Sequence, residues 1–130
     1  ETGRIKLFKS YSKEYGDGEQ KRDFIYVKDA VDMTLFFGEN KIVNGIYNVG
    51  TGQANTFNSF FKPIFKALNL KENIEYFEMP EVLKGRYQDY TKANMKKIRN
   101  AGYSGKFHNL EDAVIDYVSN YLNTDFPYLS

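Results

Sequence analysis

Two stretches decide the fold: Arg22-Asp23-Phe24-Ile25-Tyr26-Val27-Lys28-Asp29 and, further along, Tyr47-Asn48-Val49-Gly50-Thr51-Gly52. The first is an aromatic and β-branched run entered through an arginine, and it reads as a strand over Arg22 to Val27. Asp29 stands where the N-cap of a following helix belongs, and a cap is the whole of its expected role. Val31, Met33, Leu35, Phe36 and Phe37 then give that helix, ending at Gly38, an apolar surface around much of its girth, which calls for cover on more than one side. The second stretch reads as a compact strand over Gly45 to Val49, closed by the Gly-Thr-Gly turn. A buried strand behind a two-sided apolar helix is a unit suited to docking on a larger parallel sheet.

Outward from these, Ile5 to Lys9 reads as a short strand followed by a polar, glycine-bearing loop from Ser12 to Glu19. Thr56 is placed to cap a helix in which Phe57, Phe60, Phe61, Ile64, Phe65 and Leu68 share a face, with Pro63 expected to kink or divide it. Asn73 to Met79 alternates as a strand and ends at Pro80. Thr91 is expected to cap a helix running through Ile98 towards Gly102. Leu110 to Leu122 closes the chain's pattern with an amphipathic helix whose inward side is Ala113, Val114, Tyr117, Val118 and Tyr121. Strands alternating with helices define an α/β class.

The 130 residues amount to about one domain. The 18 basic and 17 acidic side chains leave a net charge of +1, which supplies no field for nucleic acid or an anionic membrane. No apolar run approaches a membrane span and no signal-like segment opens the sequence, so a cytoplasmic protein is the expectation. The absence of cysteine removes thiolate metal sites and thiol nucleophiles. His108 is the one histidine, and no acidic pair has metal-ligand spacing, so a metal is not expected; a capping or surface role suits His108.

Three segments are candidates for binding. Arg22 can grip two phosphate oxygens through parallel hydrogen bonds, or pair with a nearby carboxylate on the surface. Leu83-Lys84-Gly85-Arg86-Tyr87-Gln88 is an exposed loop after Pro80, either a phosphate clamp with a stacking phenol or a solvated basic loop. Gly50-Thr51-Gly52 superficially suggests a phosphate-binding turn, but it lacks the third glycine and downstream acid of a dinucleotide fingerprint and reads as structural. The sequence contains neither Gly-x-x-Gly-x-x-Gly nor Tyr-x-x-x-Lys.

On the two opening stretches the chain resembles the C-terminal part of the extended short-chain dehydrogenases, the NAD-dependent epimerase/dehydratase family. The Leu83–Gln88 motif, with Thr91 and Ala101-Gly102-Tyr103, narrows the likeness to the ADP-L-glycero-D-manno-heptose 6-epimerases of lipopolysaccharide core biosynthesis. The resemblance implies a substrate-binding portion spanning 1–130, with about 28–50 docking on a nucleotide-binding Rossmann domain that this sequence does not contain. It further implies that Arg22 contacts the diphosphate and Tyr87 the substrate, with Phe8, Lys9, Ser10 and Tyr11 forming a short substrate-contacting stretch; Asn48 bonds to backbone. Arg86, beside Tyr87, is assigned a phosphate contact from its chemistry alone. The parent enzyme would use NADP (or NAD) to epimerise an ADP-heptose at C6 and would be a homo-oligomer. This chain, holding ADP-sugar but no cofactor and no catalytic group, would be inactive alone. Another nucleotide-sugar epimerase or dehydratase, or a non-catalytic binding module, remain the alternatives.

On the docking reading, Phe36, Phe37, Ile46 and Val49 should be unusually exposed or covered by another copy.

Overall fold

In the computed structural model, which describes residues 3–40 and 44–125, the elements follow as β1 (Ile5–Phe8), β2 (Lys21–Arg22), α1 (Val27–Glu39), β3 (Asn55–Thr56), α2 (Phe57–Ala67), β4 (Ile74–Phe77), α3 (Lys96–Asn100) and α4 (Leu110–Tyr117). β1 runs parallel to β4, with Ile5 opposite Ile74 and Phe8 opposite Phe77. β2 pairs antiparallel with β3, Lys21 opposite Thr56 and Arg22 opposite Asn55. Two small sheets and packed helices make this a partial α/β arrangement, and no described helix is long and apolar enough to cross a membrane.

α2 shows how local chemistry sets an element. The Thr56 side chain accepts the Ser59 N–H, an N-cap worth about 1 kcal/mol. At the other end Asn69 takes φ 53°, and Leu70 N–H returns to Phe65 C=O at 2.8 Å, closing the helix with a left-handed residue. Pro63 does not divide it: the helix runs through, the proline ring is buried, and its packing offsets the hydrogen bond it withholds. α2 lies against α4, where Phe65, Ala113, Val114 and Val118 are buried. α4 is capped by Asn109, whose side chain accepts the Asp112 N–H, and it passes into a π-helical turn at Val118–Leu122.

Several expectations need correction. The run Arg22–Val27 is a strand only at Lys21–Arg22, and Val27 already opens α1. Its backbone leaves the ladder because Asp23 turns aside to bind other segments: one carboxylate oxygen accepts Thr51 N–H at 2.9 Å and Thr51 Oγ1 at 2.5 Å, the other Gly52 N–H at 2.8 Å and Ala93 N–H at 2.9 Å. Asp29 is not the N-cap. Tyr26 occupies that position without a side-chain cap bond, and Asp29, within the first turn and 4% exposed, bonds instead to His108. Thr91 caps nothing, since α3 begins at Lys96, whose N–H goes to Asn94 Oδ1, while Thr91 N–H bonds to Lys21 C=O. Residues 44–49 form no strand among the described residues, because no neighbouring strand is present to pair with them.

The chief buried cluster is Met33, Ile98 and Tyr103, with Phe36, Phe37 and Tyr47 packed around it. Phe36 and Phe37 are thus half-buried, against expectation, because they face this cluster. Ile46 at 90% and Val49 at 45% are exposed, as are Val27, Val31 and Leu35, which recur every four residues along one side of α1. The helix is therefore two-sided as its sequence indicates, with one side covered and the other bare.

Candidate substrate-binding site

The parallel pairing of β1 and β4 sets Phe8 beside Phe77, with ring centroids 4.8 Å apart. Tyr87, carried on the loop after the 3-10 turn Glu81–Leu83, meets Phe8 edge-on at 6.4 Å. Phe57, the first residue of α2, and Phe61, one turn on, join these three in an aromatic lining around a cavity of about 250 Å³ that Leu7, Gly18 and Gln20 also line.

β2 delivers Arg22 to this place. Its guanidinium carbon lies 5.7 Å from the Phe57 ring centroid and 5.3 Å from that of Tyr87, two walls of the cavity. Cation–π contact and one bond to the Lys21 carbonyl at 2.9 Å orient the group. No carboxylate among the described residues stands within ion-pair distance of it, so the surface-pair alternative for Arg22 is not what the structure contains. Burial raises the pKa of the Tyr87 phenol, partly opposed by the positive charge of Arg22, so Tyr87 stays a neutral donor at physiological pH.

The structure thus brings Phe8, Arg22 and Tyr87 together. It directs the next residues elsewhere: Lys9 Nζ pairs with Glu78 at 2.8 Å, Tyr11 donates its hydroxyl to Glu78, and Ser10 N–H bonds to Asp17 Oδ1 at 2.7 Å. Lys84 lies 3.9 Å above the Tyr11 ring. Glu78, flanked by Lys9 and the Tyr11 hydroxyl, has its pKa held below the usual range. Arg86 is exposed and does not line the cavity. Sequence reasoning missed Phe57, Phe77 and Gln20. Phe77 was recoverable from a parallel pairing of the two predicted strands; the burial of Gln20, in a polar loop, had no signal.

The Gly50-Thr51-Gly52 turn is occupied by the chain itself. The amides of Thr51 and Gly52 donate to Asp23, and a side chain at the buried Gly50 would strike Ala93 Cβ at 2.5 Å. These amides are not open to a phosphate, so this turn is not a dinucleotide cradle. Asn48 Nδ2 bonds to the Asn94 carbonyl at 3.2 Å, the backbone contact expected of it. A second, larger opening of about 990 Å³ lies between α2, α4 and the segment 104–110, where His108 Nδ1 meets Asp29 Oδ1 at 2.6 Å.

The scaffold thus presents an aromatic pocket with an arginine that no described carboxylate opposes. By sequence, residues 4–50 match the NAD dependent epimerase/dehydratase family. Within that class the chain aligns, over 99% of its length, with proteins named ADP-L-glycero-D-manno-heptose-6-epimerase: 46% identity over 129 residues with that of Nitratidesulfovibrio vulgaris (strain DP4), and 45% over 135 residues with that of Fusobacterium nucleatum subsp. nucleatum. It spans about 40% of the length of these relatives. Among solved structures, a UDP-N-acetylglucosamine 4-epimerase from Methanobrevibacter ruminantium M1 in complex with UDP-N-acetylmuramic acid is similar with TM-score 0.63 and 26% identity, covering 78% of this chain and 31% of that one. RMD from Pseudomonas aeruginosa complexed with NADPH shares the fold, with TM-score 0.66 at 14% identity, over 88% of this chain and 34% of that one.

Proposed function

We propose that this chain forms the substrate-holding side of a cytoplasmic epimerase that interconverts ADP-D-glycero- and ADP-L-glycero-D-manno-heptose at C6 and so serves lipopolysaccharide core biosynthesis. The observation that carries the proposal is Arg22, a guanidinium with no described carboxylate opposite it, oriented by Phe57 and Tyr87 beside an aromatic cavity. A diphosphate supplies the charge and the paired oxygens that such a group lacks. Phe8 and Tyr87 contact the substrate and Arg86 approaches the phosphates from its exposed loop, while Lys9, Ser10 and Tyr11, tied to Glu78 and Asp17, reach it only on release from those contacts. The ADP-heptose epimerase relatives, alike over nearly all of this chain, support the choice of an ADP-sugar.

The NADP or NAD of the whole enzyme would be held by a preceding nucleotide-binding domain; the Gly50-Thr51-Gly52 turn of this chain has its amides taken by Asp23. In this reading 28–50 docks on that domain, and the bare side chains of Val31, Leu35, Ile46 and Val49 are what it would cover. The chain by itself has no turnover, and the assembled enzyme is a homo-oligomer.

Titration calorimetry with ADP-heptose, ADP-glucose and UDP-glucose tests the reading. ADP-sugars should bind in preference to UDP-glucose, and Arg22→Met should weaken them roughly tenfold to a hundredfold, the loss of a charge-assisted bidentate contact. Preference for UDP-glucose would move the assignment to another nucleotide-sugar epimerase, the direction in which the UDP-sugar-bound neighbour points. Absence of all nucleotide-sugar binding would favour a non-catalytic module.

A further inference from the structure

A buried carboxamide without a partner makes the small cavity more than a gap in the packing. Gln20 is 2% exposed, one of the most deeply buried side chains, and it lines that cavity. Its backbone carbonyl is engaged, accepting the Phe57 N–H at 3.2 Å. Its side-chain amide meets no hydrogen-bond partner among the described residues, it is not one of the fully sealed polar groups left without one, and the residue lines the cavity. Buried polar side chains in folded proteins are nearly always bonded, and one that is not, at the wall of a cavity, leaves a donor and an acceptor for whatever occupies that cavity.

The chemistry of that ligand follows from the walls. A carboxamide presents N–H donors and a carbonyl acceptor side by side in one plane. Its complement is a flat edge with an acceptor next to a donor. Phe8, Phe77, Phe57 and Tyr87 supply apolar and π-rich surfaces, suited to the faces of a planar ring. The volume, about 250 Å³, lies below the 300–1,000 Å³ of sites that take a whole drug-sized ligand, and suits one ring system with the rest of the molecule outside. Arg22 does not line the cavity, but its guanidinium lies over the rings of two of its walls, Phe57 and Tyr87.

We propose that Gln20 is a specificity-determining residue that reads the edge of the adenine base, accepting a hydrogen bond from its 6-amino group and donating one to the adjacent ring nitrogen. A paired donor and acceptor on glutamine is the pairing that recognises adenine in other settings. The assignment deepens the ADP-sugar reading and rests on it.

Calorimetry with the full chain, using ADP and purine riboside 5′-diphosphate, which lacks only the 6-amino group, tests the role. The wild-type chain should bind ADP roughly tenfold to a hundredfold tighter than the analogue. Gln20→Met, which keeps the volume and loses the amide, should bind the two equally and near the wild-type affinity for the analogue. Equal binding of both ligands by the wild type, or an unchanged ratio in Gln20→Met, overturns the role of Gln20 and leaves the diphosphate reading standing. Binding of neither purine diphosphate removes both. Should Gln20→Met fail to give a cooperative melt, the wild-type ratio decides alone, because it is read without any substitution.

Discussion

Replacing Asp23 with asparagine probes the contact that ties three separate parts of the chain together. The carboxylate receives four hydrogen bonds, two from Thr51 and one each from the amides of Gly52 and Ala93. Asparagine keeps one acceptor oxygen and turns an NH₂ towards the other pair of donors. Two charge-assisted bonds are lost, each worth about 1.5–3 kcal/mol, and the freed donors regain part of that from water. Asp23→Asn should therefore destabilise the full chain by about 3 kcal/mol, read as a lowered urea midpoint with an unchanged slope. The pH profile gives an independent check. Burial pushes the Asp23 carboxyl up, but the Thr51 hydroxyl and the amides of Ala93, Thr51 and Gly52 outweigh it and hold the pKa below 3.8. A depressed folded-state pKa means this stabilisation is complete above about pH 4 and disappears as pH falls through the folded value. Asp23→Asn should remove that acid-side loss. A change below about 0.5 kcal/mol, with the acid limb of the profile unaltered, would refute the account of Asp23 as a structural tie.

Two further outcomes follow from the packing. The Tyr103 phenol, pushed up to about 12 by burial and by its bond to Asp32, should ionise well above the ordinary tyrosine value. Its contribution to stability is whole below pH 10 and lost as pH rises towards 12, and an ultraviolet absorbance titration should lose a component near pH 12 in Tyr103→Phe. Ile46→Lys should change stability by less than about 0.5 kcal/mol, because the side chain is 90% exposed; on the proposed docking, the same substitution should weaken co-purification of this chain with a separately expressed nucleotide-binding domain.

What could be read from the sequence was governed by how local each determinant is. The cap of α2 by Thr56 and the parting of the chain at Pro80 depend on residues within a few positions, and they were legible. The pairing of 44–49 was not, because a strand needs a partner, and alternation of side chains cannot say whether one is present. Asp29 illustrates the same limit differently. An aspartate at the start of an apolar run is the pattern of a cap, yet its carboxylate is taken by His108, 79 residues away, and no spacing rule connects the two. At the candidate site, Arg22 and Tyr87 stood out by chemical type and by family likeness. Gln20 did not, since only the closing of β1, β4 and α2 around it makes an ordinary loop glutamine the deepest polar side chain of the cavity.

The pairing of Ile5 with Ile74 has a kinetic meaning. β1 and β4 can join only after a stretch of chain separating partners by 69 positions has been gathered in, as the Lys9–Glu78 bridge at the same separation also requires. Contacts so distant in sequence slow the search for the native state, since loop closure precedes any return from the ladder. One proteolytic nick in the Ser12–Gly18 loop would turn that closure into an encounter between two molecules. The melting temperature of the nicked chain should then rise with its concentration, whereas that of the intact chain should not.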